Sequence, residues 1–291
     1  MLSPQTASHL THPVQEPFDA AVVMPTLVRP SLLRAATSVF RQTDVRRLQL
    51  LIGIDVVRGD TGVIDAVLAA RPPQHAVTVL NLGYSTSGRH GGIHAAADSG
   101  ALRTILTYCA NSRYVVYLDD DNWIEETHVA RLLRAIEGKD WAYTLRWFVD
   151  TNTLKPLAVD LWESVGPDRG LYGESYGGFV DPNCLMIDKL KCDDAVRLWA
   201  IPLAEEMRRL TADRNVFGAL RRHAAVGFTS AVTTHYVLNP TDANTVNRLN
   251  WIRALERQRD AEALGATDAP LAAPGEDVSA QPGDSEPTSG A

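Results

Sequence analysis

Three consecutive carboxylates, Asp119, Asp120 and Asp121, follow the apolar run Tyr114–Leu118. Side chains alternate along an extended chain, so Asp119 and Asp121 are expected on one face and Asp120 on the other. Two carboxylates about 4 Å apart repel by about 4 kcal/mol at an effective dielectric of ~20, and a bound divalent cation removes that cost. Oxygen-only ligands favour Mg²⁺ or Mn²⁺, and a cation held by one or two carboxylates completes its shell with water and substrate phosphates. The run therefore points to a cation site that takes a diphosphate. The simpler reading is a helix N-cap, with Asn122 or Asp121 starting a helix that runs from Trp123-Ile124-Glu125-Glu126 through Leu133. A cap needs one such residue, and three acids exceed the need.

The elements that would position these acids alternate in type. A β-run over Ala20–Met24 is followed by the Pro25-Thr26 break and a helical pattern from Arg29 to Gln42. Leu48–Asp55, LQLLIGID, is a short continuous apolar run that suits a strand buried on both faces, and a helix through Leu68–Ala70 follows it. Ala76–Asn81 reads as a third strand, the glycine-rich segment Gly83–Gly92 leads into a helix ending near Ala110, and Tyr114–Leu118 is the fourth strand. Strands alternating with helices imply parallel pairing, right-handed crossovers and ligands beyond the carboxyl ends of the strands. The second half is mixed, with Trp141–Val149 and Phe179–Ile187 as strands and Ala204–Ala219 as a helical region. The fold class is thus α/β.

In this order the motifs resemble the nucleotide-sugar glycosyltransferases of the GT-A fold, family 2 of that classification in particular. The resemblance covers residues 20 to 240 and implies a Rossmann-like nucleotide-binding half, with a mostly parallel central sheet, fused to a mixed acceptor-binding half. It carries Pro25, Thr26 and Arg29 of VVMPTLVRP to the opening of the nucleotide site. Asp55 then matches the acid that contacts the nucleobase or ribose, and Arg89 of SGRHGGIHAAA lies near the diphosphate or base. Asp119 to Asp121 match the Asp-x-Asp motif, with Asp119 and Asp121 as metal ligands and Asp119 and Asp120 facing the donor. Asp213 of TADRNVFGAL matches the general base, with Ala212 standing where an acid is common, and His235 of TTHYVL matches a late metal ligand or phosphate contact.

Each residue also has a plainer reading. Asp55 could end a strand in a turn. Arg89 could sit in a flexible loop, Asp213 could pair with Arg214 or cap its helix, and His235 could be a satisfied core histidine. Gly177-Gly178-Phe179-Val180-Asp181 lies where the resemblance places a sugar, which small residues would let approach the backbone. Trp147 and Trp162 are stacking platforms or simply core.

The implied reaction is a metal-dependent, inverting transfer of a sugar from a nucleoside-diphosphate donor, a UDP-sugar by default, to a carbohydrate or other hydroxyl acceptor. A non-catalytic nucleotide-sugar-binding protein on the same fold is the alternative. A sugar-phosphate nucleotidyltransferase would carry a glycine-rich basic loop after the first strand, and MPTLVRP has no glycine.

Composition sets the outer bounds. A 291-residue chain with 45% hydrophobic residues can bury a substantial core. The net charge of −7 argues against nucleic acid as a partner, although Asp268, Glu276, Asp277, Asp284 and Glu286 all fall in a tail without Lys or Arg. No apolar stretch reaches the ~20 residues of a membrane span. The first residues lack a basic start and apolar stretch, so they are expected to be a loose leader and the location cytoplasmic. Cys109, Cys184 and Cys192 match neither a disulfide framework nor a CxxC site, as suits a reducing compartment. The expected organisation is a leader over 1–18, one working domain over 19–262 whose halves meet near 121/122, and a disordered tail over 263–291. Copy number is left open, with a homodimer as one expectation.

Overall fold

All seven residues of Ala20–Thr26 are buried, as suits a strand with a neighbour on each side and a layer on each face. In the computed structural model, which describes residues 16–93, 99–201, 212–242 and 244–263, it is β1. It pairs in parallel with β2 (Leu48–Ile54), and β2 pairs in parallel with β3 (Ala76–Asn81). On its other side β1 pairs in parallel with β4 (Tyr114–Tyr117). The parallel pairing expected from the alternation is therefore present.

Helices supply the crossovers. α1 (Leu32–Phe40) buries Leu32, Ala35, Ala36, Val39 and Phe40, a stripe at helical spacing. α2 (Gly62–Ala70) and α3 (Gly100–Cys109) follow. α3 packs closely on β2, where a side chain at Gly53 would meet Leu106 at 2.8 Å. The predicted lead-in to α3 through residues 94–98 lies outside the described residues.

Beyond β4 the chain forms β5 (Trp123–Ile124), α4 (His128–Ala135), β6 (Trp141–Val149), β7 (Pro156–Val159), β8 (Gly166–Pro167), α5 (Gly173–Tyr176) and β9 (Gly178–Phe179). It continues with β10 (Leu185–Asp188), α6 (Asp193–Val196), α7 (Asp213–Leu220) and β11 (Val226–Val237). Among the described residues nine strands form one sheet in the order β3-β2-β1-β4-β10-β6-β11-β5, with β7 on β6. β10 is antiparallel to both β4 and β6, so the parallel half ends at β4 and a mixed half begins.

Several expectations change. The strand predicted over Phe179–Ile187 is broken, because Pro182 has no N–H to donate and Asp181 caps a 3₁₀ turn by accepting from the Asn183 N–H at 2.9 Å. The helix predicted from Asn122 starts later, since Trp123 and Ile124 pair with His235 and Thr234 of β11. The first half of the helix predicted over 204–219 lies outside the described residues, and α7 supplies the rest. The Ser- and Thr-rich strand β11 has no counterpart among the sequence expectations.

Two compact units result, one ending at Val237 and one beginning at Leu238, and the domain expected over 19–262 spans that division. The second unit contains α8 (Thr245–Ala263), preceded by a turn in which Thr245 Oγ1 donates to the Asn239 carbonyl at 2.6 Å and Arg248 pairs with Asp242 at 2.6 Å. Among the described residues no helix is long and apolar enough to cross a membrane.

Burial of one histidine makes the first unit acid-sensitive. His128 is fully buried, its Nδ1 2.8 Å from Thr233 Oγ1, and burial pushes its pKa down to about 3 from the ordinary 6.5. The unfolded chain binds this proton and the folded one does not, so stability present above pH 6.5 is lost as pH falls towards 3. Between pH 7.5 and pH 5 this contributes a loss of about 2 kcal/mol. Reversible urea unfolding of wild type and His128→Gln at both pH values should show a pH slope smaller by about that amount in the variant. Equal slopes would remove His128 as the cause.

Candidate active site at the carboxyl ends of the parallel strands

Pairing between β1 and β4 stops at Val23 and Tyr117, whereas β1 runs on to Thr26. Pro25 is tolerated because it lies beyond that pairing and its missing donor leaves nothing unpaired there. The gap is closed by a side chain. Thr26 Oγ1 donates to Asp120 Oδ2 at 2.6 Å, the Leu27 N–H donates to the same oxygen at 3.2 Å, and Arg29 Nε lies 3.5 Å from Oδ1. β4 has already ended and the acids lie in a turn, yet Asp119 and Asp121 share an outward side and Asp120 takes the inward one, as alternation predicts.

The three acids meet different partners. Asp119 pairs with Arg103 of α3 and accepts from Asn183 Nδ2 at 3.0 Å, while its own N–H donates to Asn183 Oδ1 at 2.7 Å. Asp121 pairs with Arg29, and its carbonyl accepts from Arg34 Nη2 at 2.6 Å. The side chains of Asp119 and Asp121 keep 32% and 29% of their surface exposed against 3% for Asp120, so two carboxylates face outward and one is structural.

Electrostatics follow this division. Burial first, and then the neighbouring charge of Asp119, push the Asp121 carboxyl up to about 6, with Arg29 opposing. Burial also raises Asp120, against Arg29 and the Thr26 hydroxyl. For Arg29 burial acts against the charge, but Asp120 and Asp121 outweigh it and the pKa is raised.

Asp55 follows β2 and is tied to the end of β1 by its N–H, which donates to the Thr26 carbonyl at 3.0 Å. Its carboxylate is enclosed: Ser85 Oγ donates to Oδ1 at 2.7 Å, the Thr86 N–H lies 3.3 Å from the same atom, and His90 Nδ1 is 2.7 Å from Oδ2. His90, which sequence reasoning passed over for its neighbour, thus meets Asp55. Arg89 lies exposed in the 3₁₀ turn 88–90, its N–H donating to Ser87 Oγ at 3.2 Å. The loop after β1 is tight: Val28 adopts φ of 60°, its N–H donates to Thr26 Oγ1 at 2.8 Å, and a side chain at Gly59 would meet its carbonyl at 2.2 Å.

Two further predicted residues have partners outside the three acids. Asp213 opens α7, where its Oδ1 accepts from the Arg214 N–H at 2.9 Å and Arg214 lies over the rings of Tyr172 and Phe179 at 3.6 and 3.8 Å. His235 stacks on Trp123 at 4.7 Å and bonds Glu125 through Nε2 at 2.6 Å, so its ring is turned to β5 and Glu125. Among the described residues no three His, Cys, Asp or Glu side chains gather into a metal-holding group. What the acid turn offers a hard cation is the outward pair Asp119 and Asp121, an oxygen-only set that leaves the remaining positions to water and phosphate.

The glycine segment has a structural explanation. A side chain at Gly178 would meet the Gly166 carbonyl at 2.1 Å, so glycine there permits the β8–β9 pairing. Trp162 is buried and Trp147 half-buried. A residue the sequence analysis did not single out, Asn183, touches both Asp119 and Asp181. An Asn beside a Pro in an apolar run is its only sequence signal.

No family model matches the chain, and no curated protein matches it. Among solved structures it is similar to S. aureus TarS 1–349 in complex with UDP-GlcNAc, with a TM-score of 0.53 and 12% identity over 77% of this chain and 59% of that one. It is also similar to the mannosyltransferase PcManGT from Pyrobaculum calidifontis in complex with GDP-Man and Mn²⁺, with a TM-score of 0.52 and 12% identity over 88% of this chain and 67% of that one. The chain thus spans 59% of the TarS 1–349 structure's length, and at 12% identity the likeness is one of fold. Its curled, mostly parallel central sheet in a mixed α/β arrangement is the GT-A fold of glycosyltransferases.

Proposed function

We propose that this chain is an inverting glycosyltransferase, moving a sugar from a nucleoside-diphosphate donor to an acceptor hydroxyl. The observation that carries this reading is the convergence of Asp55, the outward carboxylates of Asp119 and Asp121, and the guanidiniums of Arg29 and Arg103 at the carboxyl ends of β1, β2 and β4. Ligands collect at such strand ends in open α/β sheets. The fold likeness to structures holding UDP-GlcNAc and GDP-Man supports a nucleotide sugar as donor.

Asp119 and Asp121 would hold Mn²⁺ or Mg²⁺, which when bound supplies positive charge to the leaving diphosphate. His235, engaged by Glu125, is left out of this pair. Arg29 and Arg103, already beside the acids, would orient the diphosphate oxygens through charge-assisted hydrogen bonds. Pro25 and Thr26 shape the floor of the site, and Asp55 with Arg89 borders the nucleoside end. Asp213 would accept the acceptor's hydroxyl proton as that oxygen bonds the anomeric carbon and the carbon–diphosphate bond breaks, its electron pair leaving with the diphosphate.

A panel of UDP- and GDP-sugars with and without Mn²⁺ should raise the thermal midpoint for at least one donor, because a ligand of the native state alone stabilises it. In Asp121→Ala the Mn²⁺ enhancement of UDP affinity should disappear in calorimetry, and an enhancement equal to wild type would sink the cation assignment. Asp213→Asn should bind donor and Mn²⁺ within about twofold of wild type while transfer falls roughly 10²–10⁴-fold. Undiminished transfer in that variant would take Asp213 out of the reaction.

A further inference from the structure

Arg146 on β6 is fully buried and uses three nitrogens on three acids: Nε on Asp160 at 2.8 Å, Nη2 on Glu163 at 2.8 Å and Nη1 on Asp181. Its guanidinium also lies 4.2 Å from the Tyr236 ring centre and 5.1 Å from that of Phe148. Burial works against its charge, but the three carboxylates hold its pKa well above the ordinary value. A buried guanidinium with one acid on each edge cannot rotate without stranding a charge, which favours a single orientation of Asp181.

Asp181 passes that orientation on. Its backbone N–H donates to Ser164 Oγ at 2.8 Å, and its Oδ1 accepts from both the N–H and Nδ2 of Asn183, at 2.9 and 2.7 Å. The Asn183 amide then donates from Nδ2 to Asp119 Oδ2 at 3.0 Å and accepts at Oδ1 from the Asp119 N–H at 2.7 Å. Thr234 Oγ1 holds the Asn183 carbonyl at 3.0 Å, and Asn183 is fully buried. Only one amide orientation works, because a flip would set Oδ1 against two carboxylate oxygens and NH₂ against an N–H. An aspartate in this place would lack the donor, and a leucine would lack both groups.

We infer that Asn183, keyed by Asp181 and Arg146, is the positioning residue that presents the Asp119 carboxylate at the cation site. This rests on the glycosyltransferase reading of that site. Arg103 takes Asp119 Oδ1 and Asn183 takes Oδ2, so both oxygens have set directions before any ligand arrives. Positioning groups that bond a metal ligand's far side typically change metal affinity by 10–100-fold when removed.

The test uses Asn183→Ser, which keeps a small polar side chain but cannot span to Asp119, with Asn183→Ala as a second variant should the first fold poorly. Two readouts are taken: native-state hydrogen exchange of the amides at 118–122, and UDP affinity with Mn²⁺ and with EDTA. Expected are exchange at 118–122 about tenfold faster with β1 unchanged, and a Mn²⁺-dependent UDP affinity about tenfold weaker with the EDTA value within twofold. Unchanged exchange, or Mn²⁺-dependent affinity within about twofold of wild type, overturns the inference, and so does an equal loss in EDTA. If these failures occur while wild type keeps its Mn²⁺ dependence and Asp119→Asn loses it, the reading of the site stands and only the role of Asn183 falls. Wild type that binds UDP no better with Mn²⁺ than without overturns both.

Discussion

A strand that outruns its neighbour leaves backbone groups without a ladder, and in this fold the carboxylate of Asp120 stands in for the missing strand. Three donors from the end of β1 reach it: the Thr26 hydroxyl, the Leu27 N–H and the Arg29 guanidinium. A buried carboxylate with fewer partners would be too costly to keep ionised, and one with these partners welds the β1 loop to the acid turn. The weld has a local cost. Val28 sits at φ of 60°, a region that strains a β-branched residue by of order 1–3 kcal/mol. The Val28 N–H bonded to Thr26, the Arg58 N–H bonded to the Leu27 carbonyl and the side-chain-free Gly59 hold it there. The next residue, Arg29, reaches back across the acids.

The same corner alternates in charge. Arg29 spans Asp120 and Asp121, Arg103 approaches Asp119 from α3, and Arg34 of α1 holds the Asp121 carbonyl while lying 4.5 Å from the Trp123 ring centre. Anchored from separate elements, the arginines cannot all collapse on one acid. Such an array suits a ligand that is itself of both signs, a cation bound to a diphosphate, and the proposed reading uses it in that way. Linked to it through Asp181 and Asn183, the buried ring of acids on Arg146 adds little net stability by the usual balance of desolvation against pairing. Its effect is directional, through Asp181 and Asn183.

Much of the fold was legible because the strands of the parallel half are short, mostly apolar runs. β2 and β3 fall within a residue of their expected bounds and β6 on them, while β1 continues two residues further, through a Pro-Thr pair that reads locally as a break. β11 escaped notice because its Ser and Thr residues mask the apolar period, and Phe179–Ile187 misled because one proline and one capping acid outweigh the apolar run around them. The acid run was visible as a cluster. Alternation also separated Asp120 from Asp119 and Asp121, but not their partners, since an aspartate bound to Thr26, 94 residues away, looks like its neighbours in a string of letters.

Taken alone, the amino-acid order determined which segments are apolar enough to stack into a parallel sheet and which acids close the fourth strand, because periodicity and composition are local properties. Tertiary structure alone decided that the interior carboxylate of Asp120 is bound by Thr26, that His90 meets Asp55, and that His235 turns to Glu125. It also brought Asn183 to Asp119 across 64 residues. Each of these depends on which donor arrives from a distant element, and no local pattern encodes the identity of a partner that only chain crossing brings near.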